Sequence, residues 1–203
     1  MTAFSALKPK KVLFIATRQI GDVLVTTPLI SQARQLWPNA EFHFLGYRDK
    51  LDMLKGNPDI AQTIETSDRP KLKEYLSLFF RLFQRYDLAI ITQPSDRAYF
   101  YGLAAAHRRV GVLGGHPQGL TEQDKAKQSK SDKQNAWKKA ISLHTVDVDY
   151  FAQHVITEKL RLLEIFYRKP LDLFNKPISV SAPAGDPVTP SIASQLHSPY
   201  VVV

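Results

Sequence analysis

The 203-residue sequence contains no cysteine, which excludes disulfides, thiolate metal sites and a cysteine nucleophile. Its uncharged apolar runs are much shorter than the ~20 residues of a membrane-spanning helix, so we do not expect a transmembrane protein. The first eleven residues lack a long apolar segment followed by small residues, and they do not resemble a secretory signal. These absences favour a cytoplasmic protein.

Sequence signatures of the common cofactor and catalytic sites are also missing. There is no G-x-G-x-x-G dinucleotide motif and no G-K-[ST] sequence of a phosphate-binding loop. No set of His, Asp and Glu has the spacing of a metal site, and no Ser/His/Asp triad is indicated. We therefore expect neither a metal nor a cofactor.

The chain carries an excess of positive charge. It has 27 Lys and Arg against 19 Asp and Glu, a net charge of +8, within an ordinary globular composition of 44% hydrophobic residues. Such charge suggests an anionic partner: a nucleic acid, a phosphorylated metabolite or an acidic membrane surface. The lysine-rich stretch lacks interleaved aromatic residues and no nucleic-acid-binding motif is present, so we expect no nucleic acid.

Apolar runs and helical spacings alternate along the chain. Short apolar runs predict strands at 11–16, 40–45, 61–66, 87–91 and 109–113. Amphipathic spacing predicts helices at 22–37, 70–85, 96–106 and 146–167. Within the first helix, Pro28 leaves two alternatives, a kink or a helix that Thr27 caps and Pro28 begins. Strands alternating with helices favour a parallel sheet covered on both faces, a doubly wound Rossmann-like α/β fold.

The second half of the chain contains two segments of different composition. Residues 114–135 are rich in Gly, Ser, Gln and Lys and predict a surface loop, whose lysines would either face anionic lipid or keep the loop soluble. From Pro170 onwards lie six of the thirteen prolines, which is typical of a linker. A helix at 191–196 and a strand at 200–203 follow, and that strand either joins the first sheet or begins a second domain. We predict a Rossmann-like domain over 1–175, and a linker with the first strand of another domain over 176–203.

The helix at 70–85 contains a conspicuous aromatic group, Phe79, Phe80 and Phe83. At helical spacing these side chains predict a face packed into the core. A solvent-exposed aromatic patch that contacts lipid is the alternative.

The residues after the first strand carry the strongest functional signal. In doubly wound folds the ligand crevice lies at the carboxyl ends of the strands, where Ala16–Pro28 begins. Gly21 would permit a tight turn or close backbone approach, Arg18 would supply a positive charge, and the start of the next helix would favour an anion. Asp22 has two interpretations, a general base at the mouth of the crevice or a helix N-cap.

This segment closely resembles the N-terminal signature of glycosyltransferase family 9, the lipopolysaccharide heptosyltransferases. Six stretches carry the resemblance in order: Arg18–Pro28 (RQIGDVLVTTP), Trp37–Leu45 (WPNAEFHFL), Tyr86–Pro94 (YDLAIITQP), Arg108–Gly111 (RRVG), His144 with the LLE of residues 162–164, and Ser198–Val203 (SPYVVV). Their order and spacing make the set specific.

The resemblance implies a GT-B architecture in which this chain is the N-terminal, acceptor-binding half, and the donor-binding half begins near residue 200. It implies an enzyme that transfers a heptose, or a related hexose, from ADP-heptose or a similar nucleotide sugar to an anionic lipopolysaccharide core acceptor, with inversion. The family's signature aspartate, the proposed base, corresponds to Asp22. The resemblance also implies five acceptor-binding residues: Thr17, Arg18, Gln19, Gly21 and His144.

The same resemblance implies a location at the cytoplasmic side of the inner membrane, with the membrane surface as a further partner. Because the donor half is missing, a second hypothesis stays open. The chain would then be a truncated, non-catalytic module that binds an anionic glycolipid or a partner protein.

Overall fold

The computed structural model describes residues 4, 6–114, 133, 135–148 and 154–167. Its centre is a sheet of six parallel strands in the order β3-β2-β1-β4-β5-β6. The strands are β1 (Lys11–Ala16), β2 (Glu41–Tyr47), β3 (Gln62–Thr66), β4 (Leu88–Ile91), β5 (Arg109–Gly114) and β6 (His144–Val148).

Helices connect the strands. They are α1 (Ile20–Leu24), α2 (Thr27–Leu36), α3 (Leu72–Leu82), α4 (Asp96–Ala105), α5 (residues 135–140) and α6 (Val155–Leu160). Two 3-10 helices, Arg48–Leu54 and Arg161–Phe166, complete the described elements. In the part of the chain that the structure describes, no helix combines the length and apolar character needed to cross a membrane.

The central strands are buried on both faces of the sheet, as continuous apolar runs require. In β1, Val12 and Phe14 pack on one face with α1, α2 and α6, whereas Leu13 and Ile15 pack on the other with α3 and α4. All four of these side chains are completely buried. The predicted doubly wound, Rossmann-like fold is confirmed.

The strand order fixes where a ligand crevice can lie. From β1 the chain moves outward to β2 and β3, and it then returns to the centre to form β4 beside β1. The connections after β1 and β4 therefore leave the sheet in opposite directions, which opens a crevice at the carboxyl ends of these two strands.

Two predicted helices differ in the structure. The predicted helix at 22–37 is split into α1 and α2, with Thr26 as the N-cap residue of α2 and Pro28 inside its first turn. This agrees with a helix start near Pro28, one residue earlier than predicted, and not with a kink. The predicted helix at 146–167 is wrong at its beginning, because His144–Val148 is the edge strand β6. Its Thr and two Val residues favour a strand, although their spacing also fits a helical face.

The predicted core face of α3 is also wrong. Phe79, Phe80 and Phe83 are 40%, 69% and 53% exposed, whereas Leu78 and Leu82 form the buried face. Helical spacing reveals that apolar residues share a face, but it does not reveal whether the protein covers that face. The alternative, an exposed aromatic patch, describes the structure.

Several predictions lie outside the described residues. They are most of the predicted loop at 114–135, the proline-rich linker, the helix at 191–196, the strand at 200–203 and the domain boundary after residue 175. All of these stay predictions.

Candidate functional site

The crevice between β1 and β4 is closed at its base by a pair of buried polar side chains. Gln93, just after β4, donates from Nε2 to Thr17 Oγ1, just after β1, at 2.6 Å. Both side chains are nearly inaccessible to solvent. The amide oxygen of Gln93, Oε1, is also buried, and it accepts no hydrogen bond from any described residue. An acceptor left unpaired in this way is costly, which favours a ligand donor at this position.

Asp22 lies at the mouth of this crevice. It is the third residue of α1, whose N-cap residue is Gln19, so the N-cap interpretation of Asp22 is wrong. Its carboxylate is partly exposed, and Arg18 Nε lies 4.0 Å from Asp22 Oδ2. Helix capping therefore does not explain why an aspartate stands at this position, and its carboxylate is accessible to a ligand in the crevice.

A buried lysine holds the backbone beneath Asp22. Lys159, on α6, donates from Nζ to the Asp22 carbonyl oxygen and to Thr26 Oγ1, both at 2.9 Å. The side chain is only 3% exposed. Burial lowers the pKa of Lys159 to about 8, and the nearby Asp22 carboxylate opposes this shift. The lysine therefore anchors the turn that carries Asp22 and places a positive charge behind it.

Lys159 is not among the site residues predicted above, although the sequence contains a signal for it. Val155, Ile156, Leu162 and Leu163 surround it at the spacing of one helical face. A lysine within the apolar face of a helix is buried, and burial of its charge costs free energy unless the ammonium group donates to a buried acceptor. Such a lysine is therefore a candidate for a structural or functional role.

Five of the predicted site residues come together near the crevice and one does not. Thr17, Arg18, Gln19, Gly21 and Asp22 follow β1 directly. His144 begins β6, at the amino edge of the sheet, and the strand's carboxyl end at Val148 is ~13 Å further on. Burial lowers the pKa of His144, as expected for an imidazole packed into the protein. The fold thus separates His144 from Asp22.

Two expectations about the start of α1 also change. A Cβ built on Gly21 meets no atom within 4 Å, so no tight turn or close protein contact requires this glycine. Instead its surface is open towards solvent. With only five residues, α1 is too short to make an anion site of its N-terminus, so any positive charge here comes from Arg18 and Lys159.

The crevice that the structure describes is too small to be a complete ligand-binding site. It is lined by Arg18, Asp22, Gln93, Val148 and Lys159 among others, and it encloses only about 10 Å³, far too little for a sugar ring. Within the described ranges, no three His, Asp or Glu side chains come close enough to hold a metal ion.

Comparison with known proteins identifies relatives of this chain. Over 154 residues, 72% of the chain, it is 29% identical to lipopolysaccharide heptosyltransferase 3 of Escherichia coli strain K12. A second heptosyltransferase 3 from Escherichia coli is 33% identical over 76 residues, 34% of this chain and 22% of the relative. The predicted resemblance to glycosyltransferase family 9 is confirmed by these relatives.

Solved structures of glycosyltransferases share the fold of this chain. A family 9 glycosyltransferase from Veillonella parvula superposes with a TM-score of 0.60 at 15% identity, covering 85% of this chain and 44% of that one. The Escherichia coli heptosyltransferase WaaC with ADP superposes with a TM-score of 0.52 at 16% identity, covering 75% and 45%. No protein-family model matches the chain.

The curated relatives are much longer than the region that matches this chain. The matched stretch spans 40% of the length of the heptosyltransferase 3 from strain K12.

Proposed function

We propose that this chain is the acceptor-binding domain of a glycosyltransferase that transfers heptose from ADP-heptose to a lipopolysaccharide core acceptor. The observation that carries the proposal is the accessible Asp22 carboxylate at the crevice between β1 and β4, on a turn whose backbone Lys159 holds in place. The likeness to heptosyltransferase 3 supports the same assignment. Residues 1–175 would form this domain, and residues 176–203 would lead into a donor-binding domain.

The proposed reaction is a single displacement with Asp22 as general base. The Asp22 carboxylate accepts the proton of an acceptor hydroxyl while that oxygen forms a bond to the anomeric carbon of the heptose. The bond from that carbon to the diphosphate oxygen breaks at the same time, and ADP leaves with the electron pair. Attack opposite the leaving group inverts the anomeric centre.

The neighbouring residues suit an anionic acceptor. Arg18 is half exposed beside Asp22 and would pair with an acceptor phosphate or carboxylate. The buried Gln93 Oε1 would accept a hydrogen bond from an acceptor hydroxyl, with Thr17 holding the amide in place. Gln19 and the open surface of Gly21 would border the same acceptor.

The substitution Asp22→Asn in the full-length protein tests the proposal. Because general base catalysis contributes ~100-fold or more, turnover with ADP-heptose and a core acceptor should fall by at least that factor. Acceptor binding should change little, because the amide keeps the size of the carboxylate. The measurement is ADP release, with acceptor affinity determined separately.

A matched control is Asp52→Asn, which removes an exposed carboxylate in a 3-10 helix. This variant should retain wild-type turnover. Wild-type turnover in Asp22→Asn would refute the base assignment. Acceptor binding without any transfer by the wild-type protein would instead favour a non-catalytic module.

A further inference from the structure

An exposed apolar stripe runs along the whole length of α3. Its members lie on one side of the helix and are exposed to solvent: Leu72, Leu76, Phe79, Phe80 and the C-cap residue Phe83. Leu72 is 77% exposed and Phe80 is 69% exposed. The rings of Phe79 and Phe83 lie 5.5 Å apart, so the aromatic residues cluster with each other at the surface. A contiguous patch of this kind on a protein surface marks an interaction site.

The stripe continues onto α4. Phe100 and Leu103 are 54% and 40% exposed, and an open cavity of about 490 Å³ lies between them and Phe79 and Phe83. Mostly apolar side chains line this cavity. We call the seven exposed side chains of α3 and α4 together the α3–α4 surface.

Positive charge surrounds the α3–α4 surface. Residues 69–85 contain five Lys and Arg against the single acid Glu74, a net charge of +4. Arg81 and Arg85 are exposed beside the aromatic residues, and Arg108 is exposed beyond the end of α4. None of these three arginines forms an ion pair with another described residue, so their charge is available to an anionic surface.

We propose that the α3–α4 surface docks on an anionic phospholipid bilayer. Phe and Leu on one side of a helix with Lys and Arg around them are the combination that inserts at the boundary between headgroups and acyl chains. The aromatic side chains would enter that boundary, and the cations would contact lipid phosphates. The uncompensated positive charge favours an anionic bilayer over a second copy of this chain, since two such surfaces would repel each other.

The position of the surface leaves the crevice free. The α3–α4 surface lies on the sheet face opposite to α1, α2 and α6, which carry Asp22 and Lys159. Helix α3 begins after the carboxyl end of β3 and runs towards the amino edge of the sheet. A docked bilayer would thus lie alongside the domain, with the start of α3 at the crevice edge. The proposal goes beyond the proposed function and does not depend on it.

Vesicle binding by the 203-residue chain tests the proposal. We expect the chain to co-sediment with vesicles of mixed phosphatidylglycerol and phosphatidylcholine, and much less with phosphatidylcholine alone. Phe80→Ser should lower the partition coefficient about tenfold, because one buried phenyl ring is lost. Arg81→Gln should lower it about fivefold, the contribution of one cation near an anionic surface. Both side chains are exposed, so thermal unfolding of the variants should match the wild type.

Two controls make the result specific. Lys55→Gln removes an exposed cation next to the 3-10 helix that packs on the other sheet face, and it should bind as the wild type does. Phe80→Trp should retain binding, and its fluorescence should shift to the blue and be quenched by brominated lipid.

Equal binding to both kinds of vesicle, or equal binding by Phe80→Ser and wild type, would overturn the proposal. A wild-type dimer in sedimentation velocity that Phe80→Ser converts to monomer would overturn it as well, and would assign the surface to a second copy of the chain. Loss of transferase activity in Asp22→Asn has no bearing on either measurement.

Discussion

At the scale of single residues, Lys159 is an ionisable side chain that is almost completely buried. Its ammonium group is buried beneath the crevice and donates two hydrogen bonds to the turn that carries Asp22. A buried charge of this kind costs stability whenever it is protonated, which couples the folding of the crevice to pH.

We expect the free energy of unfolding to rise with pH from about 8 to about 10. Burial lowers the pKa of Lys159 to about 8, against 10.5 for the unfolded side chain. In this window the unfolded chain therefore binds the proton and the folded chain does not, so stability rises as the pH increases, by up to ~2–3 kcal/mol. Urea unfolding in small pH steps measures the slope.

Lys159→Met is the matched variant, because it keeps the length of the side chain without a titrating group. Its stability should be flat over the window, and a slope equal to that of the wild type would contradict the assignment. Above pH 10 the stability of both proteins should fall, because burial raises the pKa of Tyr86 to about 12 and the unfolded tyrosine ionises first.

Part of the site could be predicted from the sequence because it is local. Arg18, Gly21 and Asp22 lie within one short segment after an evident strand, so their proximity follows from chain connectivity. Lys159 is 137 residues away from Asp22, and Gln93 is 76 residues away from Thr17. These pairs depend on the strand order, which no local pattern specifies.

At the scale of secondary structure elements, α4 packs very closely on the sheet at one glycine of β5. A Cβ on Gly111 would lie 2.4 Å from the Tyr99 hydroxyl oxygen and 2.7 Å from ring carbon Cζ. The Tyr99 ring is fully buried, and its hydroxyl donates to the Val112 carbonyl oxygen at 3.0 Å. A rigid, hydrogen-bonded ring cannot move aside as a flexible side chain would.

We therefore expect Gly111→Ala to lower the free energy of unfolding by ~1–3 kcal/mol, the usual cost of overpacking a core. Urea unfolding measures the change. Gly21→Ala is the control, since its Cβ meets nothing within 4 Å, and it should gain up to ~0.5–1 kcal/mol from helix propensity. Equal stabilities of Gly111→Ala and wild type would mean that α4 can shift.

The sequence predicts an element reliably where all its apolar residues are buried. It fails where apolar residues are partly buried and partly exposed, or where pairing with a distant strand decides the structure. The strands β1 and β4 are short apolar runs buried on both faces, and runs of this length are typical of strands and too short for most buried helices. Helix α3 has one apolar face on the core and a second one exposed, so its spacing indicated a helix but assigned the aromatic residues to the wrong environment. At β6, tertiary pairing with β5 decides between strand and helix.

At the scale of the whole molecule, the parallel sheet has two edges with different roles. The carboxyl edge carries Asp22, Thr17 and Gln93, whereas the amino edge carries His144. Because all six strands run the same way, a residue that begins a strand cannot reach a ligand bound where the strands end.

We expect His144→Gln to leave the acceptor KM of the full-length protein unchanged. Thr17→Val at the other edge should raise that KM, because Gln93 Nε2 loses its acceptor and the amide is no longer held in place. Thr17→Val should also lower the free energy of unfolding by ~1–3 kcal/mol, the cost of an unsatisfied buried donor. Steady-state kinetics with varied acceptor concentration measure the effect. An equal rise of KM in His144→Gln would mean that His144 does contribute to acceptor binding.

The bond from Lys159 to the Asp22 carbonyl oxygen also sets an order of events during translation. The ribosome adds Asp22 to the chain 137 residues before it adds the lysine whose side chain fixes this turn. A nascent chain can pair β1 with β2 well before that point, while the turn between them still lacks its anchor. Asp22, the base in the proposed reaction, is therefore synthesised well before its turn is immobilised, which happens once α6 has left the exit tunnel.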